Sequence, residues 1–405
     1  MSSRAFFPGL VALLSGCVTS DFAPYADEVG ESSGSSPASP SSSSADESSS
    51  SDDSTGEPPP DEPPLPLYDG EPLPDGPVGQ WQWVDFPDAF CRDGTTTGIG
   101  VRRGDSPNLV IFFEGGGACF NGFTCLANPK HYDAVDFLEW YGGYGGLFDD
   151  EEEDNPVADW TMVYVPYCSG DVHAGDQRGV SIVDAPGEQL FAGYTNVDAF
   201  LRRIVPSFGD APEVLITGVS AGGFGAGFNY HRLARVFPGK VTLLDDSGPV
   251  MRDEYLAPCL QTTWRSVWGF DATLPIACDD CFNSDGGGIH HIFEFIARRH
   301  PNQRMGLISS ERDATISIFY GFGLHECAGL GAIYPSGSFL DGLHDLRDAV
   351  LRPLGNVGTY YIPGNDHTWI GGSRFYSTEV DGVPLTDWVA DLLSGDVAHV
   401  SPPAN

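Results

Sequence analysis

The stretch Thr217–Gly223, which reads TGVSAGG, decides the fold that we expect. It follows the short apolar run Val214–Thr217 and precedes Phe224–Val236, where apolar residues recur at helical spacing. A strand, a sharp turn and a helix in this order are the context in which the pattern G-x-S-x-G holds a serine exposed at the end of a buried strand. We therefore predict that Ser220 is a nucleophile and that the Ala221 N–H, at the helix N-terminus, helps to stabilise an oxyanion.

Runs of the same character recur along the chain and alternate with helix-like patterns. Continuous apolar runs of four or five residues are typical of strands buried on both faces of a parallel sheet. The predicted fold class is therefore α/β, with a mostly parallel central sheet and helices on both faces. The predicted strands are Leu109–Phe113, Met162–Val165, Val214–Thr217, Val241–Leu244, Met305–Ile308 and Thr359–Ile362, and the predicted helices are Val197–Val205, Phe224–Val236, Ile289–Arg299, Leu343–Leu351 and Leu385–Leu393.

A glycine run, Glu114–Cys119 (EGGGAC), follows the first of these strands directly. In hydrolases with a G-x-S-x-G turn, a glycine run at this place donates a second N–H to the oxyanion, because bare backbone can approach the substrate carbonyl. We predict Gly116 and Gly117 as the donors. A phosphate-binding loop is disfavoured, because no Gly-Lys-Ser or Gly-Lys-Thr follows.

A serine nucleophile needs a histidine base, and the base needs a carboxylate that orients it. The expected chain order is Ser, acid, His. His367 directly follows the last strand-like run, so it is the predicted base. For the acid we favour Asp313, just beyond the preceding strand-like run, over Asp245 and Asp246, which end the strand before that. This chemistry needs no metal and no cofactor.

The chain divides into three parts by composition. Residues 1–17 have one basic residue, a short apolar stretch and the sequence LSGC, which predicts a lipoprotein signal in which Cys17 is lipidated. Residues 18–78 are rich in Ser, Pro and acids, and residues 21–80 hold 14 acids with no Lys or Arg, which predicts a disordered acidic tether. Residues 79–405 form the predicted catalytic domain. We therefore expect an exported, membrane-anchored bacterial lipoprotein, at the outer membrane or the cell surface.

The charge and the cysteines limit the partners and the compartment. With 20 basic and 57 acidic residues, the net charge of −37 argues against nucleic acid as a partner. Any contact with a membrane is expected through the lipid anchor only. An even number of cysteines besides Cys17, in an exported chain, predicts disulfides. Only the local pair Cys119–Cys125 is suggested by spacing, and the other pairings stay open; the eight candidates are Cys91, Cys119, Cys125, Cys168, Cys259, Cys278, Cys281 and Cys327.

Three motifs, two of them described above, together resemble the pectin acetylesterase/Notum family. They are Glu114–Cys119, Val165–Asp171 (VPYCSGD) and Gly218–Gly223 (GVSAGG), and their order and spacing hold over about residues 85–375. The resemblance implies an α/β-hydrolase fold and metal-free ester hydrolysis. It also implies a Ser-Asp-His triad and an oxyanion hole, which fall on Ser220, Asp313 and His367 and on Gly116, Gly117 and Ala221.

These observations predict a monomeric, exported serine carboxylesterase that forms an acyl-enzyme. The expected substrate is an acylated carbohydrate or a small ester, and acetyl is the acyl group that the resemblance favours. Two alternatives remain at this point. A lipase or lysophospholipase would use the same triad, and an inactive hydrolase scaffold would serve as a surface binding protein.

Overall fold

A computed structural model describes residues 62–140, 145–329 and 331–403. The predicted signal segment with Cys17, and the predicted tether as far as residue 61, lie outside the described residues. Within the described part, no helix has the length and apolar character needed to cross a membrane.

The domain is built around a nine-stranded sheet with the order β1-β2-β4-β3-β7-β8-β9-β10-β13. Neighbouring strands from β4 to β13 run parallel, whereas β1, β2 and β4 pair in antiparallel fashion. The predicted mostly parallel α/β sheet is confirmed. The strands are β1 (Trp81–Phe90), β2 (Thr96–Arg102), β3 (Leu109–Phe113), β4 (Thr161–Val165), β5 (Gln177–Ser181), β6 (Glu188–Phe191), β7 (Glu213–Val219), β8 (Lys240–Asp246), β9 (Arg304–Ser310), β10 (Val357–Ile362), β11 (Glu379–Val380), β12 (Val383–Pro384) and β13 (His399–Val400).

Helices cover both faces of the sheet, because successive residues of a buried strand face opposite sides. Ile111 packs into one core cluster with residues of α3, α4 and α6, while Phe112 packs into a second cluster with residues of α2 and α10. The helices are α1 (Gly122–Ala127), α2 (Ala134–Trp140), α3 (Gly193–Phe208), α4 (Ala221–Val236), α5 (Pro258–Trp268), α6 (His291–Arg299), α7 (Ala314–Tyr320), α8 (Ser336–Asp345), α9 (Arg374–Ser377) and α10 (Leu385–Ser394). A π-helical turn, Leu346–Leu351, continues α8.

The register of four neighbouring strands brings their following loops to one edge of the sheet. Val219 at the end of β7 pairs with Asp246 of β8, Asp246 pairs with Ile308 of β9, and Ser310 of β9 pairs with Ile362 of β10. Loops that leave the carboxyl ends of parallel strands are where α/β proteins place their sites.

All eight candidate cysteines are paired in four disulfides. The local pair suggested by spacing is confirmed, and the Cys-x-x-Cys motif forms a bridge of its own. Two bridges join distant segments, so they constrain the unfolded chain more strongly than the local ones. The pairs are Cys91–Cys168, Cys119–Cys125, Cys259–Cys327 and Cys278–Cys281.

Residues 62–78 pack against the domain, so the predicted tether, which extends to residue 78, is wrong over this part. Leu73 is only 3% exposed, and the Gly70 N–H donates to the Arg202 carbonyl at 3.0 Å. The Tyr68 hydroxyl donates to Asp198 at 3.3 Å. Disorder was predicted here because the segment is rich in prolines and acids. Composition carries no information about the groups of the domain that bind this segment.

The first described residue, Glu62, contacts three basic side chains of the domain. The Glu62 carboxylate is 8% exposed and lies 2.9 Å from His231 Nε2, 3.3 Å from Arg235 and 3.3 Å from Arg299. We call residues 62–78 the N-terminal strap. An acidic residue that sequence analysis assigned to a solvated tether is therefore an anchor of the strap on the domain.

Candidate active site

Ser220 lies at the turn between β7 and α4, in a strained backbone conformation. Its φ and ψ are 57° and −122°, a region that residues with a side chain rarely adopt. The turn is held by the Ser220 N–H, which donates to the Asp246 carbonyl at 2.7 Å. A Cβ at Gly218 or at Gly222 would collide with neighbouring carbonyl oxygens, so the motif glycines are needed for close packing. The structure thus places the serine at a sharp turn, as the motif predicts.

His367 and Asp313 are brought together by neighbouring strands. His367 follows β10 and Asp313 follows β9, and His367 Nδ1 lies 2.7 Å from Asp313 Oδ2. Asp313 is fully buried, and its Oδ1 accepts the N–H groups of Thr315 and Ile316 at 2.9 Å, which caps α7. The two oxygens of this carboxylate therefore have separate partners, and the imidazole is oriented by one of them.

The other nitrogen of the base is left free. His367 Nε2 is buried and has no hydrogen-bond partner among the described residues. An unpaired buried nitrogen costs free energy unless something binds it during function. With Nδ1 donating to Asp313, Nε2 is the acceptor that a general base requires.

Asp246, the rival candidate for the acid, holds the loop of the base instead of its ring. Its Oδ2 accepts the N–H groups of Trp369 at 2.6 Å and Ile370 at 2.8 Å, and its Oδ1 accepts the Ser247 hydroxyl at 2.8 Å. Burial raises the pKa of Asp246, and these hydrogen bonds act in the opposite direction. Within the described chain, no hydrogen bond joins Asp246 to the His367 ring.

Asp245, the other rival, points elsewhere. Its Oδ1 accepts the Gly248 N–H at 2.8 Å, and its Oδ2 is buried without a hydrogen-bond partner among the described residues. Burial raises the pKa of Asp245 well above its usual range. Among the described residues, neither oxygen of Asp245 is hydrogen-bonded to the His367 ring, so Asp245 does not orient the imidazole.

The glycine run after β3 offers four free backbone donors. Among the described residues, the N–H groups of residues 115–118 have no hydrogen-bond partner. Two of their carbonyl oxygens, in contrast, are bound by side chains. The Asn128 amide donates to the Gly116 carbonyl at 2.8 Å, and the Tyr167 hydroxyl donates to the Gly117 carbonyl at 2.7 Å.

Binding the carbonyls fixes the direction of the N–H groups. In a planar trans peptide the C=O and the N–H point opposite ways, so holding the Gly116 and Gly117 carbonyls directs the N–H groups of Gly117 and Ala118 away from Asn128 and Tyr167. Gly117 and Ala118 line a cavity together with Ala221, whereas Gly116 packs against the Tyr167 ring and is absent from the lining. The orientation favours Gly117 and Ala118 over the predicted pair Gly116 and Gly117.

Two buried titratable groups support this loop, and both are neutral near pH 7. Burial raises the pKa of Glu114 to about 8, and its Oε2 accepts the Tyr167 N–H at 2.7 Å. Burial lowers the pKa of His173 to about 4, and its Nε2 donates to the Glu114 carbonyl at 2.8 Å. No charge of theirs competes with an oxyanion at the glycine run.

The cavity beside Ser220 is apolar. Gly117, Ala118 and Ala221 contribute to its lining next to the Ser220 turn, and its other lining residues are aliphatic and aromatic. Helices α4, α5 and α7 each contribute to this lining. Besides Gly117, Ala118 and Ala221, the cavity is lined by Val172, Phe224, Phe228, Trp264, Trp268, Phe270, Ile316, Phe319 and Tyr320.

One group of potential metal ligands occurs in the part of the chain that the structure describes. His131, Asp133 and Asp136 lie close together on the surface, outside the residues around Ser220. Asp133 Oδ1 already accepts the Val135 N–H at 2.7 Å at the start of α2, so the carboxylate has a structural role as a cap.

Comparison with known proteins identifies the family to which the chain belongs. The family model described as Pectinacetylesterase matches residues 83–283. An inactive palmitoleoyl-protein carboxylesterase notum1b from Danio rerio is 33% identical over 104 residues, which are 22% of this chain and 71% of that protein. The chain belongs to the pectin acetylesterase/Notum family. The resemblance carried by the three motifs is thereby confirmed.

Other relatives in the pectin acetylesterase/Notum family match a central part of the chain. The palmitoleoyl-protein carboxylesterase NOTUM of Schmidtea mediterranea is 33% identical over 38% of this chain, and that of Homo sapiens is 30% identical over 36%. The matches span 31% and 29% of these two proteins, so the chain spans less than a third of their length.

A solved structure extends the likeness to the fold of most of the domain. The Wnt deacylase Notum from Drosophila matches with a TM-score of 0.58 and 18% identity, over 80% of this chain and 96% of that chain. The fold is that of an α/β-hydrolase, as predicted. Because one relative is described as inactive, membership of the pectin acetylesterase/Notum family does not by itself assign an activity.

Proposed function

We propose that the chain is a serine carboxylesterase that acts through an acyl-enzyme. The observation that carries the proposal is the pairing of His367 Nδ1 with the buried Asp313 carboxylate, which leaves Nε2 unpaired and buried. An imidazole that a carboxylate orients, with its other nitrogen free to accept a proton, is the arrangement that a general base requires.

In the first half of the reaction, Ser220 Oγ attacks the ester carbonyl carbon and His367 Nε2 takes the hydroxyl proton. The Asp313 carboxylate stabilises the imidazolium. The negative charge on the former carbonyl oxygen is stabilised by backbone N–H groups, for which Gly117, Ala118 and Ala221 are our candidates. The carbon–oxygen bond to the alcohol then breaks, and His367 returns the proton to the departing alcohol.

In the second half, water takes the place of the alcohol. His367 removes a proton from the water, whose oxygen attacks the acyl carbon of the Ser220 ester. The tetrahedral intermediate collapses with loss of Ser220 Oγ, which recovers its proton from His367. The products are the free carboxylic acid and the enzyme in its starting state.

The cavity argues for an acyl group longer than acetyl. An acetyl group on Ser220 would occupy only the part of the cavity near Gly117, Ala118 and Ala221, and would leave the aromatic part without an occupant. Burying an acyl chain there gains about 0.8 kcal/mol per methylene group. We therefore propose an ester with an apolar acyl chain as the substrate, in place of the acetyl ester that the sequence resemblance favours.

A fluorophosphonate probe tests the proposed nucleophile. The full chain is expected to be labelled on the peptide that contains Ser220, and Ser220→Ala is expected to abolish the label. Labelling that is absent in the wild type, or that persists in Ser220→Ala, would support an inactive scaffold or another nucleophile instead.

We also propose that the protein is exported and lipid-anchored at Cys17. The sequence of residues 14–17 and the four disulfides of the domain support this. Replacement of Cys17 by Ser is expected to move the protein from the membrane fraction to the soluble fraction of cells that export it. Equal membrane retention of both forms would contradict the proposal.

A further inference from the structure

Phe228 lies at the boundary between two cavities. Ala221, Phe224 and Phe228 are spaced three and four residues apart on α4, so they lie on one face of that helix. All three line the apolar cavity that begins at the Ser220 turn. Phe228 also lines a second cavity, which runs beneath the N-terminal strap.

The spacing of residues along α4 gives the distance from the Ser220 turn to Phe228. Ala221, next to the nucleophile, and Phe228 are seven residues apart, which is about 10 Å along the axis of an α-helix. An extended hydrocarbon chain with bonds of about 1.5 Å advances roughly 1.3 Å per carbon. A chain that starts at the acyl-enzyme and runs along this face therefore reaches Phe228 after about eight carbons.

The Phe228 ring is held in place by other aromatic rings and is 7% exposed. Its centroid lies 4.8 Å from that of Phe270, and the Phe270 ring lies 5.5 Å from that of Trp268. Close-packed aromatic rings resist displacement, because moving one opens a void beside the others. The Phe228 ring is therefore expected to keep its position at the boundary between the two cavities.

The second cavity has both apolar and charged lining residues. Leu65 of the strap, Leu274 and Ile276 line it, and so do Arg232 and Arg235. Arg232 is engaged with Asp198 at 3.0 Å, and Arg235 with Glu62 at 3.3 Å. Phe228 thus separates the apolar cavity from a second cavity whose lining is partly apolar.

From this arrangement we infer that Phe228 limits the acyl chain to about eight carbons, and that the space beneath the strap would accept longer chains if the ring were removed. The inference rests on the proposed function, since it concerns the acyl group that Ser220 would carry. According to this inference, the Phe228 side chain determines the selectivity between esters with medium and with long acyl chains.

The test compares kcat/KM for p-nitrophenyl esters from acetate to hexadecanoate, with the full chain and three variants. The wild type is expected to prefer octanoate to dodecanoate by about tenfold or more, the effect that pocket fit has on specificity. In Phe228→Ala the ratio of dodecanoate to octanoate is expected to rise about tenfold. Phe228→Trp is expected to move the preference to shorter chains.

Phe293→Ala is the matched control. Phe293 is a buried ring of α6 that packs near Gly227 of α4 and lines neither cavity. This variant is expected to lose stability, as any large-to-small core substitution does, but to keep the wild-type ratio. An unchanged ratio in Phe228→Ala, or an equal change in Phe293→Ala, would overturn the inference.

Two further outcomes separate this inference from the proposed function. A wild type that hydrolyses hexadecanoate as well as octanoate would overturn the length limit while leaving the esterase intact. A wild type that no fluorophosphonate labels would overturn the esterase itself. If Phe228→Ala does not fold, the wild-type chain-length profile and Phe228→Trp still decide the matter.

Discussion

The Asp246 carbonyl accepts the Ser220 N–H at 2.7 Å, while the carboxylate of the same residue accepts the N–H groups of Trp369 and Ile370. One residue at the end of β8 therefore binds both the turn of the proposed nucleophile and the loop that carries the proposed base. The fixed position of His367 relative to Ser220 depends on Asp246, although Asp246 has no hydrogen bond to the imidazole among the described residues.

Substitutions at Asp313 and Asp246 distinguish a residue that orients the His367 ring from one that supports the loop carrying His367. Asp313→Asn is expected to lower kcat by about 10⁴-fold, because the amide no longer holds the imidazole in its active tautomer or stabilises its charge. Asp246→Asn keeps an acceptor for the Trp369 and Ile370 N–H groups, so a much smaller loss is expected. Steady-state kinetics with one ester measures both, and a larger loss in Asp246→Asn would assign the acid to Asp246.

Removing the Asp246 side chain altogether is expected to act through the loop. Asp246→Ala leaves two buried N–H groups unpaired, at a cost of about 1–3 kcal/mol each. Both kcat and the free energy of unfolding are expected to fall, and Asp246→Asn should restore most of each. If Asp246→Ala and Asp246→Asn lost activity equally, a charge at this position would be required, which the geometry does not suggest.

The Tyr167 hydroxyl is expected to matter for catalysis although it lies behind the glycine run. Tyr167→Phe removes the donor to the Gly117 carbonyl and so releases the orientation of the Ala118 N–H. A misplaced oxyanion donor is expected to lower kcat about ten- to a hundredfold with little change in KM. Tyr230→Phe is the control, because the Tyr230 hydroxyl donates to the Val241 carbonyl within the core. Equal kinetic losses in the two variants would argue against the positioning role.

The buried Glu114 carboxyl predicts how stability varies with pH. Burial raises its pKa in the folded protein to about 8, whereas an unfolded chain has a glutamate pKa near 4.3. The folded state holds the proton while the unfolded state releases it, so this group lowers stability progressively as pH rises from about 4.5 to 8. Urea unfolding at pH 5 and pH 8 is expected to show a smaller decline for Glu114→Gln than for the wild type. Parallel declines in the two proteins would contradict the buried, neutral state of Glu114.

Glu62 is expected to show the opposite dependence. Burial alone would raise the pKa of Glu62, but the hydrogen bond from His231 and the charges of His231, Arg299 and Arg235 lower it below its usual value. Its contribution is therefore present above about pH 4.5 and is lost as pH falls through the lowered pKa. Glu62→Gln is expected to cost about 1–3 kcal/mol at pH 7 and less near pH 3. Glu71→Gln, an exposed site on the same strap, should cost little at either pH; equal costs for both would mean that the strap is not anchored at Glu62.

Sequence patterns predicted the interior of the sheet and the residues that end its central strands. The run Leu109–Phe113 coincides with β3, because a strand buried on both faces is apolar throughout. The edge strand β1 escaped prediction, since its residues alternate between buried and exposed and include Asp85 and Asp88. Helix α7 was not predicted either, because its apolar residues face the cavity and its seven residues are too few for a clear helical period.

The residues that orient the proposed site could not be predicted from the sequence. Motif spacing indicates that Gly116 and Gly117 lie near the nucleophile, but not which peptide planes face it. That depends on Asn128 and Tyr167, which come from distant parts of the chain and bind carbonyl groups rather than substrate. The same holds for Asp246, whose position next to a strand end suggested an acid of the triad, and whose contacts show a support for the loop.

The most direct test is to trap the acyl-enzyme. The full chain is mixed with a p-nitrophenyl ester, quenched in acid during turnover, and digested for mass spectrometry. We expect the mass of the acyl group on the peptide that contains Ser220 in the wild type, greater accumulation in variants that slow deacylation, and neither adduct nor turnover in Ser220→Ala. Turnover without an adduct on Ser220, or turnover that persists in Ser220→Ala, would contradict the covalent mechanism.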